Sequence, residues 1–235
     1  MDVCPVNSTY SWCVIILAYN EEATLERVVT QIIPILETIT PHFSILIVND
    51  GSTDDTRRIA DDLVARDGRI RVVHHETNRG IGHGLRSGYS NADADILGMI
   101  PADGQFNPEE LRGFLPHLDE YDIFASHRKE RNYTAFRMFV TRVNRILIRW
   151  LFGLSVKDIN WVKFYKKWIL DTVDIQSVSP MVETELVVMA IKYHNARMIE
   201  RESTYLPRSA GKARGASFRH VFRSLIDLLV FYRSL

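Results

Sequence analysis

Ser44-Ile45-Leu46-Ile47-Val48, running into Asn49-Asp50-Gly51-Ser52-Thr53 and then into the segment Asp54 to Arg66, decides the architecture of this chain. A short, nearly continuous apolar run reads as a strand buried on both faces. The polar run after it carries turn chemistry. The segment beyond opens with an acidic first turn, which suits a helix dipole. Strand, polar turn and helix recur on either side of this unit. Upstream, Cys13 to Leu17 is a strand and about Glu22 to Thr38 a helix. Downstream come a strand at Ile70 to His74 and a helix at Ile81 to Asn91. A strand at Ile96 to Ile100, a Pro-initiated helix at Pro108 to Leu118 and a strand at Asp122 to Ala125 follow. The alternation predicts an α/β fold with a mostly parallel central sheet covered by helices on both faces.

The second half has a different texture. Phe136 to Phe152 reads as a long apolar helix carrying Arg137, Arg142, Arg145 and Arg149. Ile159 to Tyr165 reads as extended, Met181 to Tyr193 as helical, and the charged stretch Arg197 to Tyr205 as an edge strand. A loop rich in Gly, Arg and Lys leads to a last helix from about Phe218 to Tyr232. With no repeat, low-complexity tract or clear linker, residues 1–235 are expected to form one domain.

Composition narrows the classes further. The 235 residues are 46% hydrophobic and 25% charged, with 29 basic side chains balancing 29 acidic ones. Those are globular values, and no global field recruits nucleic acid. The two cysteines, Cys4 and Cys13, lack metal-site spacing and suit a reducing compartment. Neither a signal-peptide pattern nor an apolar run of spanning length is present.

In open parallel sheets ligands collect at the carboxyl ends of the strands. Four such ends carry ligand-competent groups: Ala18-Tyr19-Asn20-Glu21-Glu22, Asn49 to Asp54, Asn78-Arg79-Gly80-Ile81-Gly82, and Pro101-Ala102-Asp103-Gly104-Gln105. Asp50 can accept hydrogen bonds from a base or ribose, and Gly51 lets a ligand approach the backbone. Read as extended chain, Asp103 and Gln105 point the same way and offer oxygens to one hard cation, such as one holding nucleotide phosphates. Read as a turn, the same residues are ordinary punctuation, and Asn20 and Asp54 are equally plausible helix N-caps. The four breaks together favour a nucleotide crevice. Gly80-Ile81-Gly82-His83-Gly84 lacks the dinucleotide spacing, and His74-His75 reads as a polar strand end.

In combination these motifs resemble glycosyltransferase family 2, with the GT-A nucleotide-diphospho-sugar transferase fold, and within it the polyprenyl-phosphate sugar transferases. The resemblance also rests on Arg128 to Arg131, Asp158 to Tyr165, and Tyr205-Leu206-Pro207-Arg208, all in family order. It implies that Tyr19, Glu21 and Asp50 line a nucleoside pocket, adjoined by Ala18, Gly80 and Ala102. Asp103 would be the surviving aspartate of a metal-binding D-x-D, with Gln105 as a further ligand to Mg²⁺ or Mn²⁺. Arg128, Arg131 and Arg208 would join Asp103 as catalytic groups meeting donor or acceptor phosphates. Lys163 would belong to the nucleotide-sugar site through the second-half motif. Pro101 stands at the first D-x-D aspartate position, Asn49 at the first of two aspartates, and Leu17 and Ile81 at a common proline and a common lysine or tyrosine.

The implied activity is inverting transfer of a hexose from a UDP- or GDP-linked sugar to polyprenyl phosphate, with metal dependence. Residues of about 10–130 would bind the donor and about 131–235 the acceptor. Departure of the nucleoside diphosphate needs positive charge. A lipid phosphate, already anionic, needs no general base, whereas a hydroxyl acceptor does. The basic groups Arg128, Lys129, Arg131, Arg137, Lys163, Arg208, Lys212 and Arg214 favour the phosphate. Alternative readings are a saccharide or other hydroxyl acceptor, or a nucleotide-sugar-binding subunit without turnover. The Arg-bearing apolar helices suit peripheral docking on the cytoplasmic face of a membrane, in service of cell-envelope glycans, and leave room for a membrane-protein partner. Core packing with snorkelling arginines explains the same helices equally well.

Overall fold

The computed structural model describes residues 8–129, 135–207, 226–233 and 235. Among the described residues seven strands form one sheet in the order β3-β2-β1-β4-β6-β5-β7. They are β1 Trp12–Ala18, β2 Phe43–Asn49, β3 Ile70–His74, β4 Ile96–Pro101, β5 Ile123–Arg128, β6 Lys163–Lys166 and β7 Met198–Ser203. The first four pair in parallel, as continuous apolar runs predict. Only β6 runs the other way, antiparallel to both β4 and β5, while β5 and β7 are parallel.

Helices α1 Leu25–Ile39, α2 Thr56–Arg66 and α3 Ile81–Asn91 connect the parallel strands. A 3-10 helix, Pro108–His117, follows β4. Beyond β5 come α4 Ala135–Phe152, α5 Lys167–Thr172 and α6 Val182–His194, and residues 226–233 are helical. Alternate residues of each central strand feed two cores. Val14, Ile16, Ile45 and Ile47 face α1 and α2. Cys13, Ile15, Leu46 and Val48 face the layer of Leu85, Ile148, Leu186 and Leu228. Such two-sided burial is what holds a parallel sheet together.

The departures from expectation are local. α1 begins at Leu25 and not at Glu22, because residues 20–22 are tied to the neighbouring loop. The segment 108–117 is 3-10 and not α-helical, with Pro116 lacking the N–H that an α-helical ladder would use. Of the stretch expected to be extended from Ile159, only Lys163 onward pairs in the sheet. β7 is the edge strand its charges predicted. Beyond Pro101, the end of β4, residues 102–104 form a turn and not an extended run, with Gly104 at φ +71°.

Candidate active site at the carboxyl rim

The loops after β1 and β2 are zipped together. Asn20, held at φ +53°, donates its N–H to Ser52 Oγ (2.9 Å), and its Oδ1 accepts from the Thr53 N–H (2.8 Å). Glu21 N–H reaches Thr56 Oγ1 (2.8 Å), and Glu22 Oε2 accepts from the Asp55 N–H (3.0 Å). Asn20 is thus a cross-link between loops and not the N-cap of α1. Glu21 Oε2 accepts from Thr24 Oγ1 (3.0 Å). Tyr19 is half-buried beside it, and Ala18 ends β1 with its carbonyl accepting from the Asp50 N–H (2.9 Å).

Asp50 is the organising carboxylate of the rim. Its Oδ1 lies 2.7 Å from His75 Nδ1 and accepts from the Arg79 N–H (2.9 Å). Its Oδ2 accepts from Asn78 Nδ2 (3.0 Å) and the Gly80 N–H (2.8 Å). The residue is only 7% exposed. Each oxygen meets two donors, which fills a carboxylate's usual acceptor capacity. Asp50 therefore shapes the 78–80 loop, and Gly80, at φ +86°, delivers that loop to the start of α3. Gly51 sits at φ +68°, where a Cβ would stand 2.2 Å from the Thr77 carbonyl carbon. Only glycine lets the two loops pass this closely. Asn49, the aspartate replacement, is held by His74 Nδ1 (3.0 Å) and the Ser52 N–H (3.1 Å), and His74 Nε2 lies 2.9 Å from Asp61 Oδ1.

At the end of β4, Ala102 is buried and its N–H donates to Leu17 O (3.2 Å). Asp103 Oδ1 accepts from the Gln105 N–H (3.0 Å), closing an Asx turn. Gln105 Oε1 accepts from Tyr205 Oη (2.9 Å), and its amide nitrogen and main-chain carbonyl engage Leu206 O and the Leu206 N–H (3.3 and 3.0 Å). The two side chains expected to share a cation thus face different partners. Among the described residues no group of three or more His, Cys, Asp or Glu side chains could hold a metal ion. This donor set fits a cation held by one carboxylate, water and ligand phosphates, a common arrangement for Mg²⁺.

Arg128, the last residue of β5, is gripped from two sides. Nε and Nη2 donate to Asp158 Oδ2 and Oδ1 (2.7 and 3.0 Å), a bidentate pair. Its guanidinium carbon stands 4.5 Å from the centroid of Trp161 and 5.6 Å from that of Tyr205. Trp161 Nε1–H in turn donates to Ser203 Oγ (2.9 Å). Asp158 and Trp161 carry no role assigned from the sequence, where Asp158 lies 30 residues from Arg128 and nothing pairs the two.

Lys163 is not on the rim. Its side chain is fully buried, and Nζ donates to Ile159 O (2.6 Å), Trp161 O (2.9 Å) and Glu183 Oε2 (3.0 Å). Those three bonds use the whole donor capacity of an ammonium, so the buried Lys163 side chain has no donor left for the nucleotide-sugar contact expected of it. Glu183 also accepts from Tyr89 Oη (2.5 Å) and Tyr165 Oη (2.7 Å). Burial, reinforced by the Glu183 carboxylate, pushes both phenols well above their ordinary range, so they stay protonated donors. Glu185, also buried, accepts from the Gln176 and Ser177 N–H groups (2.8 Å each). Two carboxylates in the mostly apolar run Met181 to Ala190 were a legible sign of buried partners. Arg131, Arg208, Lys212 and Arg214 lie outside the described residues, as does the Arg137 side chain.

Parallel strands whose polar loops gather on one carboxyl rim define a ligand-binding α/β protein. The family model "Glycosyl transferase family 2" matches residues 13–167, and the chain belongs to that family. It is 31% identical over 193 residues to polyprenol monophosphomannose synthase of Mycolicibacterium smegmatis, covering 75% of this chain and 69% of that protein. It is 28% identical over 169 residues to the undecaprenyl-phosphate 4-deoxy-4-formamido-L-arabinose transferase of Enterobacter sp., covering 71% of this chain and 52% of that one. In fold it matches glucosyl-3-phosphoglycerate synthase from Mycobacterium tuberculosis, solved with Mn²⁺, UDP-glucose and phosphoglyceric acid. That match has a TM-score of 0.74 at 19% identity, over 97% of this chain and 81% of that one.

Proposed function

We propose that this glycosyltransferase moves a hexose from a UDP- or GDP-linked donor to polyprenyl phosphate, with inversion at the anomeric carbon. The observation that carries the acceptor class is the state of the buried carboxylates in the second half. Asp158 is paired with Arg128, Glu183 with two phenols and Lys163, and Glu185 with backbone N–H groups. None is placed to serve as the base a hydroxyl acceptor needs, whereas a phosphate acceptor arrives as an anion. The names of the two curated relatives support the same acceptor.

In this reading Tyr19, Glu21 and the Asp50-ordered loop receive the nucleoside, and Gly80 and Ala102 keep backbone close to the donor. Asp103 would hold Mg²⁺ or Mn²⁺, with Gln105 joining if it leaves Tyr205. When bound, the cation neutralises charge on the diphosphate. Arg128, pre-oriented by Asp158 and Trp161, donates to a phosphate, and Arg131 and Arg208 belong to the same phosphate-binding set. Preorganised donors of this kind lower the barrier because they need no reorientation as charge develops. Residues of about 10–130 then serve the donor and about 131–235 the acceptor, within one domain. The test is release of nucleoside diphosphate with Mg²⁺ or Mn²⁺ across UDP- and GDP-sugars, with polyprenyl phosphate or a saccharide as acceptor. Glycolipid formed from the phosphate alone is the expected product; turnover only with the saccharide refutes the acceptor assignment.

The protein reaches its lipid, in this reading, from the cytoplasmic face of a membrane. Arg142, Arg145, Ile146, Arg149 and Trp150 form an exposed stripe on α4, with Trp150 80% exposed. Ile226, Leu229, Val230 and Tyr232 are exposed on the helix whose Phe231 packs on Phe152. No helix among the described residues is long and apolar enough to cross a membrane. Aromatic and basic groups on one stripe suit an interface with anionic lipid. Trp150→Glu is expected to weaken sedimentation with anionic vesicles roughly tenfold at low salt. Equal sedimentation of the two proteins would remove α4 from the interface.

A further inference from the structure

Two of the three polar bonds of Lys163 Nζ go to the stretch that carries the residues holding Arg128. Two of its donors fold the 159–161 backbone around Nζ, and the side chains at either end of that stretch are Asp158 and Trp161. The third donor ends on Glu183, which Tyr89 of α3 and Tyr165 of β6 fix from the far side. We propose that Lys163 and Glu183 are a positioning pair for Arg128: they act through Asp158 and Trp161 to set the guanidinium for the phosphate it meets. The proposal rests on the phosphate role given to Arg128 above, and it explains why a lysine occupies the core.

A core that needed only cohesion would be served by apolar side chains, since a buried ion pair is weak evidence for stability. Here the ammonium does what an apolar residue cannot. It donates to the carbonyls of two buried residues, Ile159 and Trp161, on either side of the exposed Asn160, and so fixes the turn's shape. Asp158 is 3% exposed and Trp161 7%, so neither can shift without moving the turn. Gly98 of β4 lets β6, which carries Lys163, pair this closely, because a Cβ there would stand 2.2 Å from the Lys163 main-chain oxygen. Without the Glu183 carboxylate, Nζ loses its anchor on α6 and the turn loosens around Asp158. Arg128 keeps its partner but no longer one orientation.

The test uses the full chain and a readout that needs no turnover. The Arg128 Nε–Hε resonance, identified by its loss in Arg128→Lys, reports directly on the bond to Asp158. In Glu183→Gln, which keeps the side-chain shape and one acceptor oxygen while removing the charge, Hε exchange is expected to rise at least tenfold. Nucleotide affinity, read with UDP and GDP, is expected to change less than twofold. With transfer running, kcat should fall at least tenfold at constant donor KM. The double variant Lys163→Met/Glu183→Leu removes both charges together and should show the same loss of Hε protection. Unchanged protection in either folded variant overturns the proposal. Failure of both to fold also overturns it, since the pair would then be a core requirement alone. A wild-type protein with protected Hε and no turnover on any acceptor counts against the transferase reading and leaves the positioning pair standing.

Discussion

Asp50→Asn is expected to lower stability by about 3 kcal/mol and to weaken UDP or GDP binding roughly tenfold. The carboxylate oxygens face four donors: His75, the Arg79 N–H, Asn78 and the Gly80 N–H. An amide retains one acceptor oxygen and turns its NH₂ group against one pair of those donors. Those donors are left unmet, each at a cost of about 1–3 kcal/mol when buried. In a chain of this size the loss corresponds to a drop in melting temperature of roughly 6–12 °C. Denaturant titration and nucleotide titration of the same samples check both halves. A variant that melts within about 2 °C of wild type would show that Asp50 does not organise the loop.

Asp103→Asn is expected to act in the opposite manner, leaving the fold intact and lowering turnover about a thousandfold. Asparagine can still accept from the Gln105 N–H, so the Asx turn that Asp103 closes survives. What disappears is the negative charge at the end of β4, and with it the carboxylate proposed to meet the cation. Pro101 supplies no second carboxylate. Nucleotide binding should then lose its dependence on Mg²⁺ or Mn²⁺, with unfolding free energy unchanged. Turnover within threefold of wild type would remove Asp103 from the metal-binding role.

The contrast between these two aspartates shows how far reading of residues alone could go. Both stand just after parallel strands, and both belong to motifs that resemble the same family. Sequence order could place them on one rim, because strand ends in a parallel sheet converge there. It could not separate an aspartate that closes a local turn from one that binds a distant loop. That difference depends on the 78–80 loop, which lies 28 to 30 residues away and reaches Asp50 only because β3 pairs with β2. Gln105 makes the same point. Its spacing from Asp103 suggested a shared cation, but Gly104 at φ +71° turns the chain between them, and Tyr205 arrives from a residue 100 positions on.

What the sequence determined by itself is whatever depends on period and order. Apolar runs and amphipathic segments specified the alternating strands and helices, and the order of the motifs specified the family and the rim. The tertiary structure alone decided the reversed pairing of β6, the bidentate grip of Asp158 on Arg128, and the descent of Lys163 from an expected ligand contact to a buried partner of Glu183. The physical reason is range. Hydrophobic periodicity is set by neighbours within a few residues, whereas a buried charge is defined by the partners that satisfy it, and those come from distant parts of the chain.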